Sequence, residues 1–377
     1  MFWYNRYLES QNNSFLKKGK VFVLYGPRRV GKTELVKKLI SGFEGKIYVG
    51  SGDNFELREI LSSQRLNKIS TFLGNYELIF IDEAQRIPNI GFGLKLLVDN
   101  FPEIKIIATG SSSFNLSNKL GEPLTGRNIV RILFPVSVFE LYHQQGGMQI
   151  IQSLENLLIY GGYPEVLNAV SSIDKKEYIL SLRNDYLFKD ILELENIRNP
   201  SKLIDLLKLL AFQIGSQVSL NELGNNLGIA KQSVERYLDL LEKSFIIKKV
   251  GGFSRNLRKE IVKSNRYYFW DNGIRNALIN NFNPLDQRND LGMLWENFVF
   301  MERLKTKEYK RLFSNDYFWR TYDQQEIDLI EEREGKLYGF EFKYSPRKIK
   351  APKAWTNAYP DAQFTVISKD NFLEFLI

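Results

Sequence analysis

The segment QQEIDLIEEREGKLYGFEFKYS, residues 324–345, sets Glu326, Asp328, Glu341 and Lys343 among apolar residues. In EIDLI, strand alternation turns Glu326 and Asp328 to one face and Ile327 and Leu329 to the other. In LYGFEFKY it sets Glu341 and Lys343 opposite Phe340 and Phe342. REGK reads as a tight turn centred on Glu334-Gly335. A two-residue hairpin there puts Asp328 across from Glu341 and Glu326 across from Lys343. Facing carboxylates repel by up to ~1 kcal/mol, so a divalent cation between them is expected. Lys343 shares the face of Glu341. Upstream, GMLWENFVFMERL reads as an amphipathic helix that carries Glu296 and Glu302. The plain structural alternative is a Glu326–Lys343 salt bridge with the other acids left over.

A second chemistry lies near the N-terminus. KVFVLYGPRRVGKTELVKKLI reads strand, loop, helix, and GPRRVGKT fits G-x-x-x-x-G-K-[ST]. Gly26, Pro27, Arg28, Arg29, Val30 and Gly31, with Lys32, Thr33 and Glu34 following, form the expected ATP-contacting set. Backbone N–H groups would wrap the phosphates, Lys32 would reach the β- and γ-phosphates, and Thr33 would take a magnesium position. The helix that follows points its positive end at the anion. In YELIFIDEAQRIP, Asp82 and Glu83 stand at a strand end, where Asp82 suits the magnesium and Glu83 suits polarising a water. IKIIATGSSSF ends a third apolar strand, and Ser111 or Ser112 is the candidate γ-phosphate sensor. Arg127, in LTGR, is the candidate arginine finger, supplied to a neighbouring copy or by a protein partner.

These residues need scaffolds. Apolar runs VFVLY and LIFI suit buried parallel strands. Residues 177–215 carry apolar residues at helical spacing. From 218 the chain reads as a helix capped by Ser219, a turn at Gly228, a second helix AKQSVERYLDLLEKS, and strands FIIKKV and YYFW around a basic loop. That is helix–turn–helix plus wing. Lys231 and Arg236 on the second helix, and Lys248, Lys249, Arg255, Arg258, Lys259, Lys263 and Arg266 beyond it, are the candidate DNA contacts. The seven basic groups of 248–266 face one acid, Glu260, and would bind the phosphate backbone with steep salt dependence.

Composition narrows the classes. The 377 residues are 44% hydrophobic and 25% charged, enough for two or three folded domains. With no cysteine and one histidine, His143, thiolate and clustered-histidine metal sites are excluded, and oxygen ligands point to magnesium or manganese. No apolar run reaches the ~18–20 residues that span a bilayer, and MFWYNRYLESQNN lacks signal-peptide order. A cytoplasmic protein away from membranes is expected. The net charge of +8 divides as +6 over 1–150, +3 over 151–285 and −1 over 286–377, which leaves DNA gripping to the middle.

The run of GPRRVGKTEL, IFIDEAQRIP, IIATGSSS, LTGR and LFPVSVFEL resembles a family of prokaryotic AAA+-type ATPases with a C-terminal domain long described as of unknown function. YGGYPEV, residues 160–166, and LWENFV resemble it too, so the resemblance covers most of the chain. It implies ATP and magnesium and supplies no substrate. Asp328 with Glu341-x-Lys343 resembles the D…(E/D)-x-K arrangement of restriction-endonuclease-like nucleases, although Ile327 stands where the common pattern has proline. The resemblance implies that Asp328 and Glu341 hold magnesium beside a scissile phosphate, that Lys343 orients or helps deprotonate the attacking water and stabilises developing charge, and that a helix acid, Glu296 with Glu302 as second choice, is the fourth group. The expected chain is α/β in three parts. Residues 1–150 are a P-loop ATPase with a mostly parallel, doubly wound sheet. Residues 151–285 are helical with a winged helix, and 286–377 are a small α/β restriction-endonuclease-like domain. The expected function is ATP hydrolysis coupled to DNA engagement, with metal-dependent cleavage at the hairpin. The alternative is a nucleotide-gated switch that binds a protein partner and carries an inactive nuclease-like domain.

Overall fold

A computed structural model describes residues 4–111, 124–184, 197, 199–254 and 265–377. The chain divides into two compact units, chiefly Asn5–Pro135 and Val136–Ile377. No described helix is long and apolar enough to cross a membrane.

The first unit is built on five parallel strands: β1 (Val21–Tyr25), β2 (Ile47–Ser51), β3 (Leu78–Asp82), β4 (Lys105–Gly110) and β5 (Asn128–Ile132). Their order is β2-β3-β4-β1-β5, and every residue of β1 is buried, as a strand covered on both faces requires. Because all five run the same way, the segments after β1, β3 and β4 gather at one edge. In an open α/β sheet this is where ligands sit.

The second unit carries β6 (Gln217–Val218), β7 (Ile247–Gly252), β8 (Asn265–Phe269), β9 (Asn315–Arg320), β10 (Glu326–Arg333), β11 (Lys336–Phe342) and β12 (Gln363–Ile367). They form one seven-stranded sheet in the order β12-β11-β10-β9-β7-β8-β6. Parallel pairing of Gly251 with Tyr317 and Gly252 with Phe318 joins β7 to β9, so strands from 151–285 and from 286–377 share a sheet. Helix Leu220–Leu227 is capped by Ser219, which accepts from the Glu222 N–H, and ends at Gly228 with φ +65°. Helix Lys231–Lys243 follows and leads into β7. The long helix Leu291–Lys310 packs Leu294, Trp295, Phe298 and Val299 in a core with Leu329, Phe340 and Phe342. Helix Lys353–Ala358 packs Trp355 in a separate cluster with Trp319, Ile327 and Ile330.

The β10–β11 hairpin has the register expected from its turn. Leu329 pairs with Phe340 and Arg333 with Lys336, and both turn residues, Glu334 (φ 51°) and Gly335 (φ 73°), are left-handed, as a two-residue hairpin turn requires. The expected alternation in EIDLI does not hold. The β9–β10 register shifts between Ile327 and Ile330. This bulge sends Ile327 to the Trp355 cluster while Leu329 packs with Phe340. Bulges re-aim side chains in this way. The Glu326–Lys343 pair is also not made: Glu326 meets Arg266 at 2.9 Å and Lys343 meets Glu341 at 2.6 Å.

Candidate functional site

The loop after β1 is held by close backbone approaches. A Cβ on Gly26 would lie 2.0 Å from the Leu133 carbonyl oxygen, and Gly31 adopts φ +92° at the helix start, so both positions require glycine. Arg6, buried, donates to the carbonyls of Val30 (2.7 Å) and Phe134 (2.6 Å) and pins the loop from behind. Lys32 is also buried, and its Nζ donates to the carbonyls of Gly26 (2.9 Å) and Pro27 (2.7 Å). Burial pushes its pKa down to about 8, with Glu83 and Asp82 opposing and Arg28 adding to the fall. Lys32 is thus folded over the loop whose N–H groups would face phosphate. Arg28 is half-buried and Arg29 exposed. Glu34 points to solvent and pairs with Lys37 at 2.8 Å, so its side chain does not contribute to the cradle.

Beside the loop, the Thr33 hydroxyl donates to Asp82 at 2.7 Å. Thr109, at the end of β4, donates to the other Asp82 oxygen. The Gln85 amide donates to Glu83 and, at 3.1 Å, to Ser111. Thr33, Asp82, Thr109, Glu83, Gln85 and Ser111 therefore form one connected polar chain across three strand ends. Thr33 and Asp82 already share a hydrogen bond where a magnesium ion of bound nucleotide would be held. Ser112 lies outside the described residues. The expected finger, Arg127, precedes β5, whose Asn128 pairs with Val21 at the start of β1. It is thus at the sheet end opposite the loop, tied to Asp99 at 2.6 Å, and cannot reach its own chain's nucleotide.

The second cluster lies in the other unit and brings together Glu296, Glu326, Asp328, Glu341 and Lys343. Glu302, the second-choice helix acid, is elsewhere: it accepts from the Val138 N–H and from Lys305, both at 2.6 Å. At the centre of the cluster is Arg266. Its guanidinium meets Glu296 at 3.3 Å, Asp328 at 3.5 Å and Glu326 at 2.9 Å, and lies 4.7 Å from the Phe318 ring centroid. The basic run in the sequence places Arg266 among the DNA contacts. With its side chain only 4% exposed, it cannot be one, because three carboxylates and a buried position hold it inward. Tyr268, two residues along the same strand face, donates to Glu296 at 2.8 Å.

The carboxylates are strained toward protonation. Burial first, then Asp328, pushes Glu296 up to about 8, against Arg266 and Tyr268. Burial first, then Asp328, pushes Glu341 up to about 7, against Lys343. Burial raises Asp328 too, against Arg266, Lys343 and the Phe342 N–H, which donates to it at 2.9 Å. Burial works against the charge on Lys343, but Asp328, Glu341 and Glu296 outweigh it and leave its pKa raised.

Among the described residues no three acids or histidines converge as a metal cage. The donor set that suits a divalent cation is the facing pair Asp328 and Glu341. Glu341 is buried, and its Oε2 has no hydrogen-bond partner, an uncompensated position that a hard cation would satisfy. Of the other expected DNA contacts, Lys231, Arg236 and Lys249 are exposed, Lys248 pairs with Glu242 at 3.1 Å, and Arg255, Arg258, Lys259 and Lys263 lie outside the described residues. Sequence reasoning misses Arg6, Gln85, Thr109 and Tyr268 as site residues. Only Tyr268 carries a signal, its strand alternation with Arg266.

Comparison with known proteins agrees with the fold of the first unit. Residues 18–142 match the family described as AAA domain, and this unit is an AAA-type P-loop ATPase fold. Residues 151–285 and 291–374 match two families, each described as a domain of unknown function. An uncharacterized protein of Mycobacterium tuberculosis is 29% identical over 87% of this chain and 71% of its own length. Another, from Haemophilus influenzae, is 25% identical over 88% and 82%. Among solved structures, a Thermotoga maritima RuvB variant is similar at 19% identity, 64% of this chain, 85% of that one and a TM-score of 0.31. A STAND signal-transduction ATPase from Pyrococcus horikoshii is similar at 16% identity, 81%, 46% and 0.32.

Proposed function

We propose that this chain hydrolyses ATP with magnesium and couples hydrolysis to engagement of DNA, and that its C-terminal strands are a restriction-endonuclease-like fold. For hydrolysis, the carrying observation is the polar chain from Thr33 through Asp82 and Glu83 to Gln85 and Ser111. Magnesium bound with ATP would neutralise phosphate charge beside Thr33 and Asp82. Glu83 would polarise the attacking water, and Lys32 would exchange its loop carbonyls for phosphate oxygens. A finger role for Arg127 would need a second subunit and release from Asp99.

For the second unit, support comes from element order. The segment from 200 runs helix, short strand, helix, helix, strand, strand, with β6-β8-β7 adjacent and antiparallel, which suits a winged helix. The segment from 291 runs helix, three antiparallel strands, helix, and a fourth strand parallel to β11. Glu296, Asp328, Glu341 and Lys343 gather on it as nuclease chemistry needs. Asp328 and Glu341 would hold the divalent cation, which supplies charge neutralisation at the scissile phosphate. Lys343 would orient the water.

One observation favours the alternative of a switch that docks a protein and does not cut: Arg266 already neutralises part of the acid cluster. A single assay separates the readings. Branched, single-stranded and duplex DNA are incubated with magnesium or manganese, with and without ATP, using wild type and the Asp328→Ala/Glu341→Ala double variant. Cleavage by wild type alone is expected. No cleavage on any substrate would leave the switch reading in its place.

A further inference from the structure

Four carboxylates, Glu296, Glu326, Asp328 and Glu341, meet three cations: Arg266, Lys343 and, 3.9 Å from the exposed Glu326, Arg320. Apart from that exposed edge, Glu296, Asp328 and Glu341 against Arg266 and Lys343 are net negative when all five are ionised, which favours a bound cation. The oxygens are unevenly committed. Arg266 faces Glu296 Oε1, Glu326 Oε2 and Asp328 Oδ1. Asp328 Oδ2 accepts from the Phe342 N–H, and Glu341 Oε1 accepts from Lys343. Glu341 Oε2 is buried without a hydrogen bond.

We propose that Arg266 is a positioning residue that takes the place of one cation in this cluster, so that the cluster admits a single divalent cation, on its Glu341 side. The proposal rests on the reading of Asp328 and Glu341 as metal ligands. A second divalent cation would need Glu296 and Asp328 Oδ1, both turned to a guanidinium that burial and the Phe318 ring hold in place. Inside a protein, like charges a few ångströms apart repel far more strongly than in water. Arg266 belongs to β8, four strands from β11 in the sheet, so a strand distant in sequence from the hairpin sets the charge of its site. An arginine suits this role because its planar fork can hold several carboxylates at once and stays charged.

The test is manganese binding to the nucleotide-free full chain, with free Mn2+ followed by electron paramagnetic resonance. The share owed to this site is the difference in bound Mn2+ between wild type and Asp328→Asn. Wild type is expected to bind one such ion. Arg266→Gln is expected to bind two, or one at least about tenfold more tightly. Arg266→Lys, which keeps the charge, is expected to bind one. Two site-dependent ions in wild type or in Arg266→Lys would overturn the proposal, and so would wild-type count and affinity in a folded Arg266→Gln. If Arg266→Gln does not fold, the wild-type and Arg266→Lys counts still decide. No Asp328-dependent Mn2+ in wild type is a different result, which removes the metal reading itself and this proposal with it.

Discussion

Asp328 and Glu341 each stand next to the last paired rung of the hairpin, Leu329–Phe340, and the Asp328 carboxylate makes Glu341 harder to ionise. A hairpin gains no stability from this juxtaposition. The fold tolerates it because Phe342 and Arg266 each bind one oxygen of Asp328, while Lys343 binds one of Glu341. The remaining Glu341 oxygen is where the arrangement is incomplete.

Stability should therefore depend on pH in a stated direction. Glu341 is raised to about 7 and Glu296 to about 8, above their values in the unfolded chain. The folded state then holds more protons than the unfolded state between about 4.5 and 8. Stability from these groups is present at the acid end of that window and is lost as pH rises through it. Thermal melts from about pH 6 to 9 should fall less steeply for Glu341→Gln than for wild type, by on the order of 1–2 kcal/mol after screening. Manganese at about pH 8.5, where the pair is ionised, should restore wild type and leave Glu341→Gln unchanged. Parallel melting curves would sink this account.

At the phosphate loop, binding and hydrolysis should separate. Lys32→Ala removes the charge-assisted bonds to phosphate and should weaken ATP binding roughly 100-fold. Glu83→Gln keeps the cradle and removes the base, so ATP should still bind while phosphate release slows by about 10²–10⁴. Fluorescent-nucleotide titration and steady-state phosphate release measure the two effects. Unchanged affinity in Lys32→Ala would show that the cradle is misassigned.

Gln85 should act on turnover and not on affinity. Its amide donates to both Glu83 and Ser111, so it fixes the orientation of the proposed base against the candidate sensor without being in the loop. Gln85→Ala should lower kcat on the order of tenfold, as small misplacements of catalytic groups do, with KM for ATP within a factor of about two. A matching rise in KM would instead point to a collapsed site.

The parts legible in the sequence are those that local rules determine. The P-loop is one strand, one glycine-rich turn and one helix, and its residues are adjacent in sequence. The hairpin register follows from the two positive-φ residues Glu334 and Gly335. The bulge at Ile327 is not legible, because it is set by how β10 pairs with β9, a choice made by the sheet and not by the segment. Arg266 misleads for the same reason: in sequence it closes a run of basic residues, and only the β7–β9 pairing brings it to acids 30 to 62 positions away. Gln85 and Thr109 are ordinary polar residues until three strand ends converge.

If DNA is engaged through the second unit, binding falls to the exposed cations and not to Arg266. Lys231 and Arg236 project from the second helix of the pair and Lys249 from β7, all exposed. Lys231 lies 3.8 Å from Glu235, a spacing and exposure that make the pair weak. Removing all three as alanine should leave the melting temperature unchanged. It should weaken DNA binding at every sequence tested and flatten the plot of log affinity against log salt by about 0.9 for each phosphate that is no longer neutralised. Filter binding between about 50 and 200 mM salt reads both quantities. A triple variant with the wild-type slope would show that this face does not meet the phosphate backbone, and the protein-docking reading of the helix pair would then account for its exposed charge.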